Sequence, residues 1–316
     1  MNGHVIETPA WPSTYGDEAK PRMGFFTDTS VCIGCKACEV ACKEWNQVPA
    51  DPLGFTGESY DNSGDLGANR WRHVAFIEQR VAVDGVAEAA PESWVKEAAR
   101  QQLVEHGLEA HEDGSGLRWL MSSDVCKHCT EAGCLDVCPT GALFRTEFGT
   151  VVVQEDVCNG CGYCVPACPF GVIDQRHEPD PHRTGLLAGR ADGRVWKCTL
   201  CYDRLQDDLE PACAKACPTD SIQFGELDEL LERASRRERE LHARGRTDAR
   251  LYGHDPNDGV GGFGAFFLLL DEPEVYGLPP DPVVPTRRLR RNWLAAGAAA
   301  AALAAGIVAS FAGGAR

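Results

Sequence analysis

The stretch CNGCGYCVPACP, residues 158–169, decides the fold of this chain. Its cysteines follow the spacing C-x2-C-x2-C-x3-C-P and are Cys158, Cys161, Cys164 and Cys168. In such a run three thiolates wrap one [4Fe–4S] cubane and the fourth reaches a neighbouring cubane. Gly160 and Gly162 lie between the ligands, where the absence of a Cβ lets the backbone curl closely around an inorganic core. The stretch therefore predicts ligands shared between two neighbouring clusters.

Working outward, the same kind of cysteine group occurs three more times in the 316 residues. In chain order the stretch above is group three, and groups one, two and four consist of Cys32, Cys35, Cys38 and Cys42; Cys126, Cys129, Cys134 and Cys138; and Cys198, Cys201, Cys213 and Cys217. All 16 cysteines fall into these groups, which form an internal repeat. Cys38 and Cys42 are four residues apart in CEVACKEW, which predicts a helical turn with both thiols on one face. Gly34 has the place in group one that Gly160 has in group three.

Zinc sites and disulfides are the two other uses of cysteine to weigh. Structural zinc sites also take four thiolates, but they usually separate two C-x2-C pairs by a longer stretch. Disulfides are disfavoured because residues 1–20 show no cationic start followed by an apolar run, so we expect no secretory signal and a reducing cytoplasm. We therefore expect four [4Fe–4S] clusters, which account for every cysteine.

Composition and motifs exclude several function classes. The chain has 31 Lys and Arg against 47 Asp and Glu, a formal net charge of −16, and nucleic-acid binding needs a clustered excess of basic residues instead. No nucleophile elbow or metalloprotease helix occurs, and GVGGFGAF (259–266) lacks the spacing of a dinucleotide loop. We predict no catalytic residues in this chain and no nucleic-acid partner. Its chemistry would be one-electron transfer.

Separation along the chain predicts which groups share clusters. Only 19 residues lie between Cys138 and Cys158, and they include a turn-and-strand pattern at 148–157, so groups two and three should form an intact unit. Groups one and four would then pair around it. Exchange of the fourth ligand within each pair predicts cluster 1 on Cys32, Cys35, Cys38 and Cys217; cluster 2 on Cys42, Cys198, Cys201 and Cys213; cluster 3 on Cys126, Cys129, Cys134 and Cys168; and cluster 4 on Cys138, Cys158, Cys161 and Cys164.

The expected fold class is α+β, with tandem bacterial-type ferredoxin units, one inserted in the other, and a single C-terminal helix. The corresponding divisions are an N-terminal extension (1–24), the first cysteine group with an insertion (25–125), the inserted two-cluster unit (126–175), the fourth group with a charged helix (176–250), a linker and docking region (251–292) and a transmembrane helix (293–312). Residues 71–81 have a strand pattern, 93–111 a helical one and 226–246 a charged helical one. His128, between two cysteines, would either hydrogen-bond near a cluster or simply pack or face solvent.

Segments around and beyond the cysteines carry a family resemblance. They are CIGCKACEVACKEWN (32–46), CKHCTEAGCLDVCPTGAL (126–143), CNGCGYCVPACPFGV (158–172), KCTLCYDRLQDDLEPACAKACPTDSIQFG (197–225) and LYGHDPNDGVGGFGAFFLLLDEPEVYGLPPDP (251–282). Together with the apolar C-terminal segment, they resemble the iron–sulfur beta subunit of respiratory formate dehydrogenase. Residues 84–118 depart from that resemblance as an insertion.

The resemblance implies an electron-transfer subunit without catalysis of its own. Its partners would be a molybdopterin-type catalytic alpha subunit, with formate as the implied substrate, and a membrane cytochrome b gamma subunit that passes electrons to quinone. The cysteine groups alone are shared with beta subunits of related reductases and hydrogenases. A self-standing polyferredoxin and a zinc-bound scaffold are the rivals from other classes.

The C-terminal segment predicts a single-pass membrane anchor in contact with lipid. Residues 294–312 are uncharged and would span about 28 Å as a helix, close to the thickness of the hydrocarbon core, with Trp293 at the interface. Four arginines precede this segment between 287 and 291, which favours a cytoplasmic cluster domain. The resemblance can imply the opposite face, because a folded domain can be exported on a partner's signal.

Overall fold

The computed structural model of the chain describes residues 19–50, 63–81, 109–110, 116–178 and 192–313, together with Tyr15, Gly57, Tyr60 and Asp61. These residues mix short helices and strands with one long C-terminal helix, as the α+β class requires. The strands are β1 (Met23–Asp28), β2 (Arg72–Val81), β3 (Glu109–Ala110), β4 (Gly116–Val125), β5 (Leu143–Arg145), β6 (Val151–Val153), β7 (Asp174–Gln175), β8 (Val195–Trp196), β9 (Ile222–Glu226), β10 (Arg250–Tyr252) and β11 (Ala265–Leu269). The helices are α1 (Ala37–Trp45), α2 (Gly133–Asp136), α3 (Cys164–Ala167), α4 (Tyr202–Gln206), α5 (Ala212–Lys215), α6 (Leu227–Ala243) and α7 (Leu289–Gly313).

A four-stranded sheet in the order β10-β11-β1-β9 joins distant parts of the chain. β11 (AFFLL) is buried at all five positions and lies parallel to β1, and an unbroken apolar run is typical of a strand that is covered on both faces. Phe26 and Phe266 stack between these strands with ring centroids 5.3 Å apart. The structure therefore differs from the linker expected at 251–292, because the first part of that segment completes the sheet.

β2 and β4 form a long antiparallel pair in which Arg72 lies opposite Val125. The strand expected at 71–81 is confirmed. The helical pattern at 93–111 lies mostly outside the described residues, but its end is different from the expectation. Glu109 and Ala110 pair with β4 as a strand, so a helix cannot continue through them.

Short helices carry cysteines of each group and pack in pairs. α1, which bears Cys38 and Cys42, contacts α5 of group four, and α2 of group two contacts α3 of group three. The turn-and-strand pattern expected at 148–157 is confirmed by β6, which pairs with β5 in a hairpin between groups two and three. The fold thus brings cysteine groups together two by two.

The expected charged helix is α6, and its leucine face is buried. Leu227, Leu230 and Leu241 pack into the core beneath β1, and most of the charged residues are exposed. Arg237 is an exception, because it forms an ion pair with the buried Asp28 of β1. α7 is different because its described side chains are exposed, Trp293 at 71% and Phe311 at 79%. Within α7, Arg291–Phe311 is long and apolar enough to cross a membrane.

Candidate iron–sulfur centres

All sixteen cysteines lie among the described residues, and each is a free thiol. Two cavities are lined by cysteines from two groups at once. One cavity is lined by Cys126, Cys129, Cys134 and Cys168, and the other by Cys32, Cys35, Cys38 and Cys217. These are the two sets expected for clusters 3 and 1, and each contains one cysteine from the partner group.

In the other two expected sets, the cysteines affect one another's pKa values. Burial raises the pKa of Cys42 well above its ordinary value, and the thiolates of Cys198, Cys213 and Cys201 raise it further. Burial likewise raises the pKa of Cys164 to about 12, and three more thiolates add to this effect, those of Cys158, Cys138 and Cys161. The sets expected for clusters 2 and 4 are therefore also neighbours in space.

The backbone between the first two cysteines of each group adopts the same unusual conformation. The residue directly before the second cysteine has a positive φ in all four groups: Gly34 (65°), His128 (44°), Gly160 (74°) and Leu200 (59°). Such a left-handed residue turns successive N–H groups toward one centre, where they can donate to sulfur. The N–H of Leu200, for example, donates to Sγ of Cys198 at 3.2 Å.

At Gly160 this conformation allows no side chain. A Cβ there would lie 2.4 Å from the carbonyl oxygen of Gly193. Glycine, which adopts positive φ without strain, supplied the sequence signal at Gly34 and Gly160. His128 and Leu200 were missed as turn residues because a positive φ is uncommon for any residue other than glycine. Only the repeat position itself, directly before the second cysteine, could have indicated them.

The cysteine sets fit a cubane better than a single ion. Tetrahedral zinc holds its thiolates at Zn–S distances of about 2.3 Å, which brings the sulfurs within about 4 Å of one another. Among the described residues, which include every cysteine, no group of three or more His, Cys, Asp or Glu side chains is arranged to hold one metal ion. In two of the sets the thiols instead line a cavity between them.

Burial also makes these thiols poor anions without a metal. It raises the pKa of Cys134 to about 12 and that of Cys198 further still. Since iron takes the thiolate, binding must release protons, and it stabilises the folded chain by the same coupling. Cys138 differs from these two cysteines. Burial would raise its pKa, but hydrogen bonds from the N–H of Leu143, the hydroxyl and N–H of Thr140 and the N–H of Ala142 more than offset that effect and lower it.

Known proteins agree with this geometry. Residues 31–142 and residues 117–227 each match a family described as a 4Fe–4S dicluster domain. The nitrate-inducible formate dehydrogenase iron–sulfur subunit of Escherichia coli is 37% identical over 306 residues, covering 96% of this chain and 86% of that protein. The formate dehydrogenase iron–sulfur subunit of Haemophilus influenzae is 38% identical over 277 residues, covering 86% of this chain and 73% of that protein.

The chain belongs to the family of formate dehydrogenase iron–sulfur subunits. More distantly, the B subunit of the anaerobic dimethyl sulfoxide reductase of E. coli is 31% identical over 211 residues, covering 66% of this chain and 76% of that protein. Two dicluster domains and sixteen cysteines confirm the expectation of four [4Fe–4S] clusters. The chain is an iron–sulfur electron-transfer subunit.

This iron–sulfur subunit also buries basic side chains beside its cysteines. Of these, His128 was singled out in the sequence, whereas the two lysines were not. Lys127, His128 and Lys197 line the cavity of Cys126 and its partners. Lys127 is compensated by an ion pair with Asp124. The ammonium of Lys197 donates to backbone carbonyls, that of Cys198 at 3.0 Å and that of Val151. Each of the two lysines directly adjoins a cysteine in the sequence, and this adjacency could have indicated their place beside a cluster.

His128 of this subunit is buried and does not face solvent. Its Nδ1 accepts a hydrogen bond from the N–H of Val151 at 3.1 Å. Burial holds the pKa of His128 well below its ordinary value, and the nearby positive charge of Lys197 lowers it further. His128 is therefore a neutral ring in the wall of the cavity, which leaves the positive charge there to the lysines.

The aromatic residues that flank cysteines divide into two kinds. Trp196 stacks on Trp71 and carries the guanidinium of Arg176 at 4.0 Å from its ring centre, and Phe170 packs edge-on against Phe263. Trp45 and Tyr163 are 44% and 65% exposed. A role in keeping water away from the cysteines therefore suits the first pair, whereas the second pair lies at the protein surface.

Proposed function

We propose that this subunit passes electrons along clusters 1, 2, 3 and 4, in that order, from a molybdopterin-type catalytic subunit that oxidises formate to a cytochrome b in the membrane. When bound, each cluster supplies reversible one-electron transfer. The observation that carries the proposal is the succession of cysteine sets, which runs from the first group toward the base of the C-terminal helix.

The proposed ligands are the four sets predicted from the sequence, from Cys32, Cys35, Cys38 and Cys217 for cluster 1 to Cys138, Cys158, Cys161 and Cys164 for cluster 4. The two shared cavities and the mutual effects of the thiol charges support this assignment. It follows that the unit of groups two and three, at 126–175, is inserted between the halves of a second unit. The contact between α1 and α5 supports this nested arrangement.

Neighbouring sets are linked by pairs of cysteines whose charges affect each other. The thiolate of Cys213 raises the pKa of Cys38, which supports adjacency of clusters 1 and 2. The thiolate of Cys126 raises the pKa of Cys198, which supports adjacency of clusters 2 and 3. The thiolate of Cys164 raises the pKa of Cys134, which supports adjacency of clusters 3 and 4. A linear order of the four ligand sets is the simplest arrangement with these three adjacencies.

The base of the C-terminal helix lies against group two. Arg287 forms a bidentate ion pair with the carboxylate of Glu131, at 2.6 and 3.0 Å. The hydroxyl of Thr286 donates a hydrogen bond to the carboxylate of Asp136 at 2.9 Å. In the sequence, Glu131 lies between two cysteines of cluster 3, and Asp136 lies between a cysteine of cluster 3 and one of cluster 4. We therefore place the exit of electrons at this end, next to a helix that we propose spans the membrane and packs its many alanines against partner helices.

Formate is the proposed substrate of the catalytic partner because the relatives that cover most of this chain carry formate dehydrogenase in their names. Deleting the gene for this subunit should abolish formate-dependent quinone reduction in membranes. Intact formate oxidation in the deletion strain, with loss of dimethyl sulfoxide reduction, would contradict formate and favour the second candidate, a reductase like the E. coli protein.

The arginines before the helix favour the cytoplasmic face for the cluster domain. Protease added to intact spheroplasts tests this orientation. Protection of the cluster domain is the expected result, and digestion from outside would place it on the opposite face. Release of the subunit by alkaline carbonate would contradict the anchor itself.

A further inference from the structure

Arg72 is an arginine buried between two sets of thiols. It opens β2, opposite Val125 at the end of β4, and its side chain is 3% exposed. Its Nη1 donates to the hydroxyl and the carbonyl of Ser123, at 3.0 and 3.3 Å, and its guanidinium lies over the ring of Phe25. The same hydroxyl of Ser123 is 3.2 Å from Sγ of Cys38.

No carboxylate compensates this guanidinium among the described residues. Its Nε and Nη2 are buried without an oxygen or nitrogen partner there. Glu39 lies on the neighbouring helix, but its carboxylate binds Lys36 and accepts from the N–H of Val74. Lys127 differs from Arg72 in this respect, because Asp124 neutralises it. A buried cation without a counter-ion is costly, so some other anion must face Arg72.

The anions that face it are cysteine thiolates from two sets. Burial alone would lower the pKa of Arg72, but the thiolates of Cys213, Cys38 and Cys198 raise it overall. In return, Arg72 lowers the pKa of Cys38 and of Cys213, partly offsetting their burial. Cys38 belongs to the proposed cluster 1, and Cys213 and Cys198 belong to cluster 2.

We propose that Arg72 sets the reduction potentials of clusters 1 and 2 together, as one fixed positive charge shared by both ligand sets. The inference rests on the proposed assignment of ligands. Uptake of one electron from the catalytic partner makes a cluster one unit more negative, and a buried cation stabilises that form. Arg72 therefore holds both potentials up and favours entry of electrons at this end of the subunit.

Redox titration followed by electron paramagnetic resonance, on the complex purified with each variant, tests this role. Arg72→Gln should shift two of the four clusters to lower potential and leave the other two unmoved, and Arg72→Lys should restore both toward the wild type. Arg118→Gln is the matched control. Arg118 lies on β4 and is paired with Asp248 and Asp271, so its loss should shift none.

Iron content distinguishes the failure of this inference from the failure of the proposed function. If the wild type holds four clusters and R72Q shifts none of them, only one of them or all four equally, the role of Arg72 is wrong and the proposed function stands. A wild type without four clusters contradicts the proposed function itself. If R72Q loses iron, the R72K variant decides between two explanations. R72K that keeps all clusters at wild-type potentials supports the role of the positive charge. R72K that loses as much iron as R72Q shows a requirement for the shape of arginine and overturns the inference.

Discussion

Both pairs of cysteine groups bring their cysteines together through paired strands, but the connection between the two groups differs in length. Groups two and three are joined by the hairpin of β5 and β6, which brings Cys138 toward Cys158 with only 19 residues between them. Groups one and four are joined by β1 and β9, which bring Cys32 toward Cys217 from distant parts of the sequence. At that junction Asp28 and Ser221 exchange hydrogen bonds at 2.7 and 2.8 Å. The comparison teaches that a short antiparallel pair of strands is the common device, and that only the length of the connection differs.

Loss of the clusters should have the largest effect, and it should separate the two pairs. The holoprotein should contain on the order of 16 Fe and 16 acid-labile sulfides per chain. Because cysteines line the core, the apoprotein should lose its cooperative thermal unfolding. The loss should come first in the distant pair, groups one and four, whose strands must close a much longer loop. Iron analysis, calorimetry and hydrogen exchange measure this. Stoichiometric zinc, or an apoprotein as stable as the holoprotein, would contradict it.

Single cysteine variants should next show which ligands belong together. Cys217→Ser should share its spectral change with Cys35→Ser, and Cys168→Ser with Cys134→Ser, each losing one cluster of about 4 Fe. Cys164→Ser should instead disturb the neighbour of the cluster affected by Cys134→Ser. Electron paramagnetic resonance of each reduced variant is the measurement. Grouping of Cys217 with Cys201 would break the exchange of ligands in the distant pair.

The tight turn at Gly160, in the local pair formed by groups two and three, should show a smaller effect. Gly160→Ala introduces both a positive-φ alanine and a Cβ that clashes with the carbonyl of Gly193, and it should lower the free energy of unfolding by about 3 kcal/mol. Gly171→Ala is the matched control in the same unit. Gly171 has φ 64° with open space around it, so about 1 kcal/mol is expected. Equal losses of stability in denaturant unfolding of the holoprotein would show that the clash is relieved.

The ion pair at the base of α7 should have the smallest effect, because both of its side chains are well exposed. Arg287→Ala should weaken the attachment of the 3₁₀ turn at Pro285–Arg288 by about 0.5 kcal/mol, less at high salt. Hydrogen exchange at the N–H of Arg287, which donates to Val284, reports this as roughly a twofold faster rate. Arg288→Ala, in the same turn, serves as the control and should change nothing.

Much of this fold was predictable because the repeat is strict and local. The cysteine groups, the helix at α6 and the strands at β2 and β6 follow from spacing and from periodicity, and the ligand sets stay a prediction that the thiol geometry supports. The position of Arg72 was not predictable, because the pairing of Arg72 with Val125 depends on the register of two strands with an insertion between them. The central place of β11 was missed for a different reason. Its apolar run lies in a segment rich in Gly and Pro, which suggested a connection between domains and not a buried strand.

The parallel pairing of β1 with β11 has a consequence for synthesis of the chain. At ribosomal rates of about 5 to 20 residues per second, β1 emerges roughly 10 to 50 seconds before its partner. For most of that interval group one is translated but its sheet is incomplete, and β9, the strand that brings Cys217 beside it, emerges only in the last part of the interval. Groups two and three emerge in the meantime and can close their own hairpin. Iron delivery to the nascent subunit should therefore begin in the middle of the chain and finish at its ends. A truncation before β11 should leave the cysteines of group one without iron, although they are translated first.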